Sequence, residues 1–185
     1  MKKHLLTLMI VLSLTVVSFA QVSTETLKMS GLEMVESLNA DGTDLVKMPY
    51  KWYLGIAESD NKSLAVEMAT REAYATVSRI IENKVSDAAE KMALTVNNVV
   101  QSAVKSHWKQ VSESVLRGCE PFGEVTVERN NVTGLYTAYA KVAIRGDRFN
   151  KLMNEASEIK TNNVSAEDVE ELVEINQTIL DAVKQ

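Results

Sequence analysis

Residues 52–93 decide the fold of this chain; they read WYLGIAESDNKSLAVEMATREAYATVSRIIENKVSDAAEKMA. An apolar segment with strand character leads through a polar turn into a run in which apolar residues recur at steps of three or four. Residues spaced in this way share one face of a helix. The residues of this face are Val66, Ala69, Ala73, Val77, Ile81, Val85, Ala88 and Met92. We predict a long amphipathic helix that begins at Ser63 or, alternatively, at Asp60, and whose alanine-rich face packs closely on a sheet or another helix.

The segment before this helix predicts one strand, over residues 50–57, because apolar residues dominate it. Gly55 within that strand indicates a bulge or the close approach of another element. Further upstream, residues 26–38 show a weak helical period and residues 39–42 form a turn signal. The period is carried by Leu27, Leu32, Val35 and Leu38. We therefore predict that residues 21–47 form a partly helical lead-in arm.

Apolar spacing continues well beyond the opening stretch, and no glycine or proline interrupts residues 57–116. One helix over residues 63–117 would be about 80 Å long, far longer than a domain of this size is wide. We predict a break near residues 95–98, where β-branched residues and asparagines weaken helix formation. The alternative is one continuous helix that protrudes into a partner. Gly118 is the predicted C-cap glycine.

Two strands are predicted next, over residues 122–129 and 135–145. The residues between them, 130–134, read NNVTG; asparagine and glycine tolerate positive φ, which predicts a hairpin. A short helix is expected to start at Asp147, as its cap, and to run to residue 159. The last helix is expected to start at Ser165, where SAED resembles a capping box.

These elements predict an α+β fold. Its sheet is small and partly antiparallel; a strand, a long helix, a strand hairpin and a helix follow one another, with the helices packed on one face. The predicted boundaries are a signal peptide at residues 1–20, the lead-in arm at 21–47, the α+β domain at 48–160 and a C-terminal amphipathic helix at 161–185.

The amino terminus has the pattern of a cleavable export signal. Lys2 and Lys3 precede an apolar core at residues 5–17, and Ser18-Phe19-Ala20 provides small residues for cleavage before Gln21. The apolar run is too short for a typical membrane span, and no cysteine follows it for lipid attachment. We predict a soluble bacterial protein, periplasmic or secreted; the alternative is an uncleaved anchor.

The sequence contains no pattern that indicates catalysis, a metal site or a cofactor. The net charge is −5 and basic residues form no run, which argues against nucleic acid as a partner. Cys119 is the only cysteine, and we expect it to be buried; the alternative is a thiol that is available to another chain. Beyond the signal the only histidine is His107; neither residue lies in a context that would lower a thiol pKa, so we do not predict a Cys–His dyad. We expect His107, next to Trp108, at the edge of a helix interface.

Aromatic residues are the best candidates for contact with a partner. Trp52 and Tyr53 are adjacent in the first strand, and Trp108 lies in the second part of the helical region. Large amphipathic rings often contribute to interfaces. The alternative for each of the three is packing in the core.

Several short segments resemble one known family. They are VKMP at residues 46–49, YLGIA at 53–57, the alanines Ala65, Ala69, Ala73 and Ala75, LRG at 116–118 and YTAYAKVAI at 136–144. Together they are similar to the LPP-twenty-type bacterial lipoprotein domain, the group that includes the flagellar outer-membrane protein FlgP. The resemblance covers residues 46–156. It implies a small cell-envelope domain without catalytic residues, although this chain lacks the cysteine that is lipidated in the family.

We therefore expect an exported, non-enzymatic interaction or structural module of the cell envelope that contacts an envelope protein or associates with itself. Self-association through the apolar positions between Val96 and Val115 is one form of this. The alternative function is a periplasmic domain that binds a small ligand, or a hydrolase without a recognisable motif, with its pocket between sheet and helices.

Overall fold

The computed structural model describes residues 27–38, 42–92, 98–159 and 165–184. Within these ranges the elements, in chain order, are β1 (Ser30–Leu38), β2 (Leu45–Ser59), α1 (Lys62–Met92), α2 (Asn98–Gly118), β3 (Glu120–Pro121), β4 (Thr126–Arg129), β5 (Tyr136–Arg145), α3 (Gly146–Ala156) and α4 (Ala166–Lys184). The predicted signal, the turn at residues 39–41, most of the predicted break at 95–98 and the linker at 161–164 lie outside them.

The strands form one antiparallel sheet with the order β1-β2-β5-β3, and β4 pairs with β5. This arrangement confirms the α+β prediction. Because side chains alternate along a strand, each strand has one face toward the helices. On that face lie Tyr53 of β2 and the buried residues of β5, which are Ala138, Ala140, Val142 and Ile144.

Helix α1 lies directly on β2 and β5. Its buried apolar residues follow the predicted face, except that Ala65 is buried in place of Val66 and the side chain of Met92 lies outside the described part. The closest approach is at Gly55, where an added Cβ would be 2.1 Å from both the carbonyl oxygen of Ala69 and the nitrogen of Ala73. Gly55 therefore marks a close approach, as predicted, and the alanines permit it.

The long helical region is divided into α1 and α2, which contact each other and share one core cluster. The chain therefore reverses direction between them, and the alternative of one protruding helix is wrong. Most apolar positions of α2 face inward: Val100, Val104, Trp108, Val111 and Val115 are all buried, whereas Val99 is 53 % exposed. The buried positions pack within the molecule and are not available for self-association; Val96, at the start of the predicted stripe, lies outside the described residues.

A buried amide fixes α4 against α2 and α3. Asn176 is 2 % exposed. Its Oδ1 accepts a hydrogen bond from Trp108 Nε1 (2.9 Å), and its Nδ2 donates to the carbonyl oxygens of Ala156 (2.9 Å) and Ser157 (3.3 Å). These bonds satisfy polar groups from three helices, and a shift of α4 along its axis would leave them without partners.

Two lysines bind the carboxyl-terminal end of α4. Lys51 of β2, which is largely buried, donates to the carbonyl oxygen of Val183 (2.7 Å) and lies 4.6 Å from the centre of the Phe149 ring. Lys84 of α1 donates to the carbonyl oxygen of Ala182. The last carbonyls of a helix have no partner within the helix and carry partial negative charge, so both ammonium groups stabilise this end.

The expectation of a helical lead-in arm is wrong for Ser30–Leu38, which form strand β1. All nine residues of β1 pair with β2, from Ser30 opposite Tyr53 to Leu38 opposite Leu45. Strand β2 also begins earlier than predicted, at Leu45. The helical spacing rests on leucines that lie on an exposed face. These positions are not buried, so apolar residues there need not follow the alternation that is typical of a strand.

Several predicted helix ends differ in detail. Asn61 caps α1, because its Oδ1 accepts the backbone N–H groups of Ser63 (2.9 Å) and Leu64 (3.2 Å). Asp147 is not the cap of α3; it lies in the first turn and accepts the N–H of Arg148 (2.7 Å). Ser165 does cap α4, and its hydroxyl donates to Asp168 Oδ2 (2.6 Å).

Two further expectations for this region need correction. Helix α2 does end at Gly118, but this glycine does not have a positive φ. A Cβ at position 118 would lie 2.7 Å from Ile144 Cδ1, so glycine permits the close contact with Ile144. The predicted strand 122–129 is interrupted, since Gly123 has a φ of 69° and the register with β5 shifts between β3 and β4. The hairpin at 130–134 is confirmed by the N–H of Asn130, which donates to the Leu135 carbonyl (2.8 Å).

Within the described residues, none of the helices combines the length and apolar character needed to cross a bilayer.

Candidate functional site on the open face of the sheet

The sheet face opposite the helices, here called the open face, carries four aromatic side chains. The pairing register places the following residues on it: Gly31, Glu33 and Val35 of β1, Tyr50, Trp52, Leu54 and Ile56 of β2, and Tyr139, Lys141, Ala143 and Arg145 of β5. Phe122, which follows β3, packs against the same face. Most of these side chains remain partly exposed. The open face therefore presents an apolar and aromatic surface with charges between the rings.

Trp52 lies flat at the centre of this surface. Gly31 is directly opposite it in the register, and a Cβ there would be 2.6 Å from the indole Cζ2, so the ring covers the glycine backbone. On its other side, Lys141 Nζ lies 4.8 Å from the ring centre and 3.9 Å from Glu33 Oε2. Cation–π contact and sheet packing hold the indole in one orientation.

Tyr50 and Phe122 form the second aromatic pair of the open face. Their rings are stacked with centres 5.3 Å apart, and the Tyr50 hydroxyl donates to Ser37 Oγ (3.2 Å). A groove of about 560 Å³ runs beside Tyr50, and a smaller depression of about 160 Å³ lies over Leu54. The groove is lined in part by Glu120, Arg145 and Arg148, so it offers both signs of charge.

A separate groove of about 500 Å³ lies between α2 and α3. Its polar lining residues include Ser106, His107, Gln110 and Glu155. His107 Nε2 is 2.9 Å from the carbonyl oxygen of Ala156 and, since a carbonyl only accepts, this nitrogen carries the proton. The imidazole is thus held at the edge of the helix interface, as predicted, and makes an edge contact with Trp108.

Cys119 is buried, as expected, and its surroundings make it a poor nucleophile. Burial raises the pKa of its thiol to about 12, against a smaller opposite effect of Arg148. His107 lies on α2 twelve positions before it, which corresponds to roughly 18 Å along the helix axis. A thiolate–imidazole pair cannot form across that distance. In the described part of the chain, no three metal-ligating side chains lie close enough to hold an ion.

The three aromatic residues proposed as partner contacts have different environments. Tyr53 and Trp108 are each 1 % exposed and belong to the core, which leaves no side-chain surface for a partner. Trp52 is partly exposed on the open face, and its role as a contact stays a prediction. Sequence reasoning missed Tyr50, Phe122 and Lys141. The alternation in β2 and β5 could have found two of them, because it places Tyr50 and Lys141 on the face of Trp52.

Comparison of the sequence and the structure with family models, curated proteins and solved structures finds no match. The resemblance to the LPP-twenty-type domain therefore stays a prediction.

Proposed function

We propose that this chain is an exported, non-enzymatic interaction module of the bacterial cell envelope, and that it contacts an envelope protein through the open face. The observation that carries this proposal is the position of all four described helices on one side of the sheet, which leaves Trp52 and its aromatic neighbours partly exposed on the other. Exposed apolar surface with polar residues around it is typical of a protein interaction site.

The chemistry of the open face favours a protein partner. Tyrosine, tryptophan and phenylalanine offer large, rigid contact areas, and such residues dominate binding energy at protein interfaces. Charges of both signs lie between the rings: Lys141 is paired with Glu33, and Arg145 is paired with Asp147, so a partner would add to ion pairs that already exist. Trp52 is already fixed by Gly31 and Lys141, so binding costs little side-chain entropy.

The experiment is photo-crosslinking in the native bacterium. A benzophenone amino acid replaces Tyr139 on the open face, and a matched variant carries it at Glu82, which is exposed on α1. We expect an adduct from position 139 that position 82 does not give. The captured protein is then purified and titrated with the wild type and with Trp52→Ser, which should weaken binding at least about tenfold.

The control for the titration is Leu64→Ser, which removes an exposed apolar side chain from α1. It should bind the purified partner as the wild type does. Equal adducts at both positions, or an affinity that Trp52→Ser leaves unchanged in a folded protein, would contradict the proposal. Export is tested separately: the mass of the chain from the periplasmic fraction should correspond to a protein that starts at Gln21, and a full-length mass would contradict cleavage.

The groove between α2 and α3 supports a second candidate function, the binding of a small ligand. Its volume is suitable for a metabolite, and its lining mixes apolar and polar side chains in nearly equal number. A thermal-shift screen against envelope metabolites tests this function, because a ligand selective for the folded state raises the melting temperature. A positive ligand should lose its effect in Gln110→Leu and keep it in Trp52→Ser.

A further inference from the structure

Strand β1 has one edge without a partner strand among the described residues. It is the first strand in the sheet order, and its only pairing is with β2. The backbone N–H of Leu54 donates to the Met29 carbonyl (2.8 Å), which extends this ladder by one position. The backbone N–H and C=O groups of successive residues in a strand point to opposite sides. The odd-numbered residues of β1 therefore bond to β2, and the even-numbered residues direct their N–H and C=O groups outward.

Protein edges of this kind are usually protected, and the only protection that the sequence of β1 offers is its two carboxylates, Glu33 and Glu36. The strand has nine residues with continuous register, and it contains no proline and no lysine. The opposite edge is made of two short strands: β3 has two residues, and β4 has four residues and ends in Glu128 and Arg129. Short length and charge are common protections of an edge strand. Because β1 is long and carries only two charges, Glu33 and Glu36, its edge is less protected than the opposite one and is available for pairing.

The helix-side face of β1 adds an apolar stripe to this edge. Lys51 is 9 % exposed beneath α3 and α4, whereas Leu32, directly opposite it, is 69 % exposed. The helix layer therefore ends between β2 and β1. Beyond it Met34 is 61 %, Leu38 51 % and Leu45 71 % exposed on the same face. This stripe stays in contact with water in a single copy of the chain.

Two β1 strands can pair with each other in an antiparallel register that is centred on Val35. In that register Leu32 faces Leu38 of the second strand, Val35 faces Val35, Met34 faces Glu36 and Glu33 faces Ser37. In each pair both residues are even-numbered or both are odd-numbered, so the two side chains lie on the same face of the joined sheet. The even-numbered residues, whose backbone groups point outward, form the hydrogen-bonded pairs. No carboxylate faces another.

Charge also permits this approach. Glu33 has Lys141 as a partner within its own chain at 3.9 Å, and Glu36 lies opposite Lys47 in the register with β2. Both carboxylates of β1 therefore have a cation nearby, and two β1 strands can meet without strong repulsion.

We propose that two copies of this chain associate through antiparallel pairing of their β1 strands, centred on Val35, to form one sheet across a two-fold axis. The axis is perpendicular to the sheet, so the helix layers of both copies lie on the same side. They flank a trough in which Leu32 of each copy meets Leu38 of the other and Met34 meets Glu36, and in which Leu45 lies behind Leu38 in β2 of the same copy. The proposal does not depend on the envelope partner, because it concerns the purified chain alone, and it leaves Trp52 accessible on the other face.

Light scattering and sedimentation equilibrium of the mature chain test the association. We expect twice the monomer mass, and at least about a tenfold increase in the dissociation constant for the double variant Leu32→Lys/Leu38→Lys. The matched control, Val132→Lys, puts the same charge at an apolar position that is 95 % exposed in the hairpin, and it should leave the dimer intact. A wild type that is monomeric at its highest soluble concentration would overturn the proposal, as would a dimer that the lysines do not weaken.

Disulfide trapping tests the register and does not require the lysine variants to fold. Because Val35 faces its own copy in a non-hydrogen-bonded pair, Val35→Cys should form an interchain disulfide on mild oxidation, within the separation that such bonds require. Met34→Cys faces Glu36 and should crosslink far more slowly. Cys119 is buried and does not interfere. Faster crosslinking at position 34 than at position 35 would refute this register.

Discussion

Gly55 of β2 and Ala73 of α1 are so close that a side chain at position 55 would have its Cβ 2.1 Å from the Ala73 nitrogen. The atoms that would collide belong to the helix backbone, which cannot move aside as the end of a flexible side chain can. The seating of α1 on the sheet, and with it the position of the whole helix layer, depends on this contact.

Gly55→Ala should therefore destabilise the protein by at least about 2 kcal/mol, because the added methyl group forces α1 away from β2. Urea unfolding followed by circular dichroism measures the change. Lys47→Ala, an exposed substitution in the same strand, should change the free energy of unfolding by less than about 0.5 kcal/mol. A Gly55→Ala midpoint equal to that of the wild type would contradict the close packing of α1.

Asn176→Leu should lower the free energy of unfolding by about 1–3 kcal/mol, because the indole N–H of Trp108 then stays buried without an acceptor. Adding Trp108→Phe removes that donor, so the double variant should lose less than the sum of the two single losses. Gln177→Leu, which is exposed on the same helix, is the control. Additive losses in the double-mutant cycle would show that the two side chains do not interact.

The stability of the protein should depend on the ionisation of Lys51. Burial and, to a smaller extent, the Lys84 ammonium lower the pKa of Lys51 from 10.5 to about 8. Between these two values the unfolded chain binds a proton that the folded protein does not, so this residue adds stability as pH rises from about 8 to 10.5. Below pH 8 both states are protonated, and the contribution is constant.

Lys51→Met should remove this rise, and the difference in the free energy of unfolding between wild type and variant measures it. Tyr53 and Cys119, whose pKa values are raised by burial, act in the opposite direction above about pH 9. Both remain in the variant, so their effects cancel in the difference. Lys47→Met, which alters an exposed lysine of the same strand, should keep the wild-type dependence. A difference between wild type and Lys51→Met that does not change between pH 8 and 10 would contradict the burial of Lys51.

The Cys119 thiol should react very slowly with iodoacetamide at pH 8, because burial limits access and its raised pKa keeps it protonated. Labelling should become rapid when urea unfolds the chain. Glu113→Cys adds an exposed cysteine on the same helix and should be alkylated at that position in the folded protein. If the wild type reacts as fast as this variant, the thiol is not shielded.

The sequence predicts those helices and strands that bury one face, because burial makes apolar residues recur at regular spacing. The alternation of β5 and the alanine-rich face of α1 are both visible because one side of each element meets the core. The break between α1 and α2 follows from chain length and weak helix formers, and the Ser165 cap follows from local hydrogen bonding. These signals are local, and they need no knowledge of the neighbouring elements.

Strand β1 could not be recognised in this way. Its large apolar residues, Leu32, Met34 and Leu38, lie on an exposed face, so no core imposed a clear strand period on the sequence. The candidate site is similarly non-local. Tyr50 and Phe122 are distant in sequence and meet only because β3 and β2 lie on the two sides of β5. The sheet order that brings them together is a tertiary property.

The two tryptophans of this chain have opposite surroundings, so their intrinsic fluorescence reports on two different parts of the protein. Trp108 is buried and its indole N–H is bonded to Asn176, whereas Trp52 is partly exposed and lies next to the Lys141 ammonium group. A soluble quencher therefore reaches the second fluorophore and not the first. Binding at the open face, reported by Trp52, and unfolding of the core, reported by Trp108, can therefore be followed as separate fluorescence signals in one unlabelled sample.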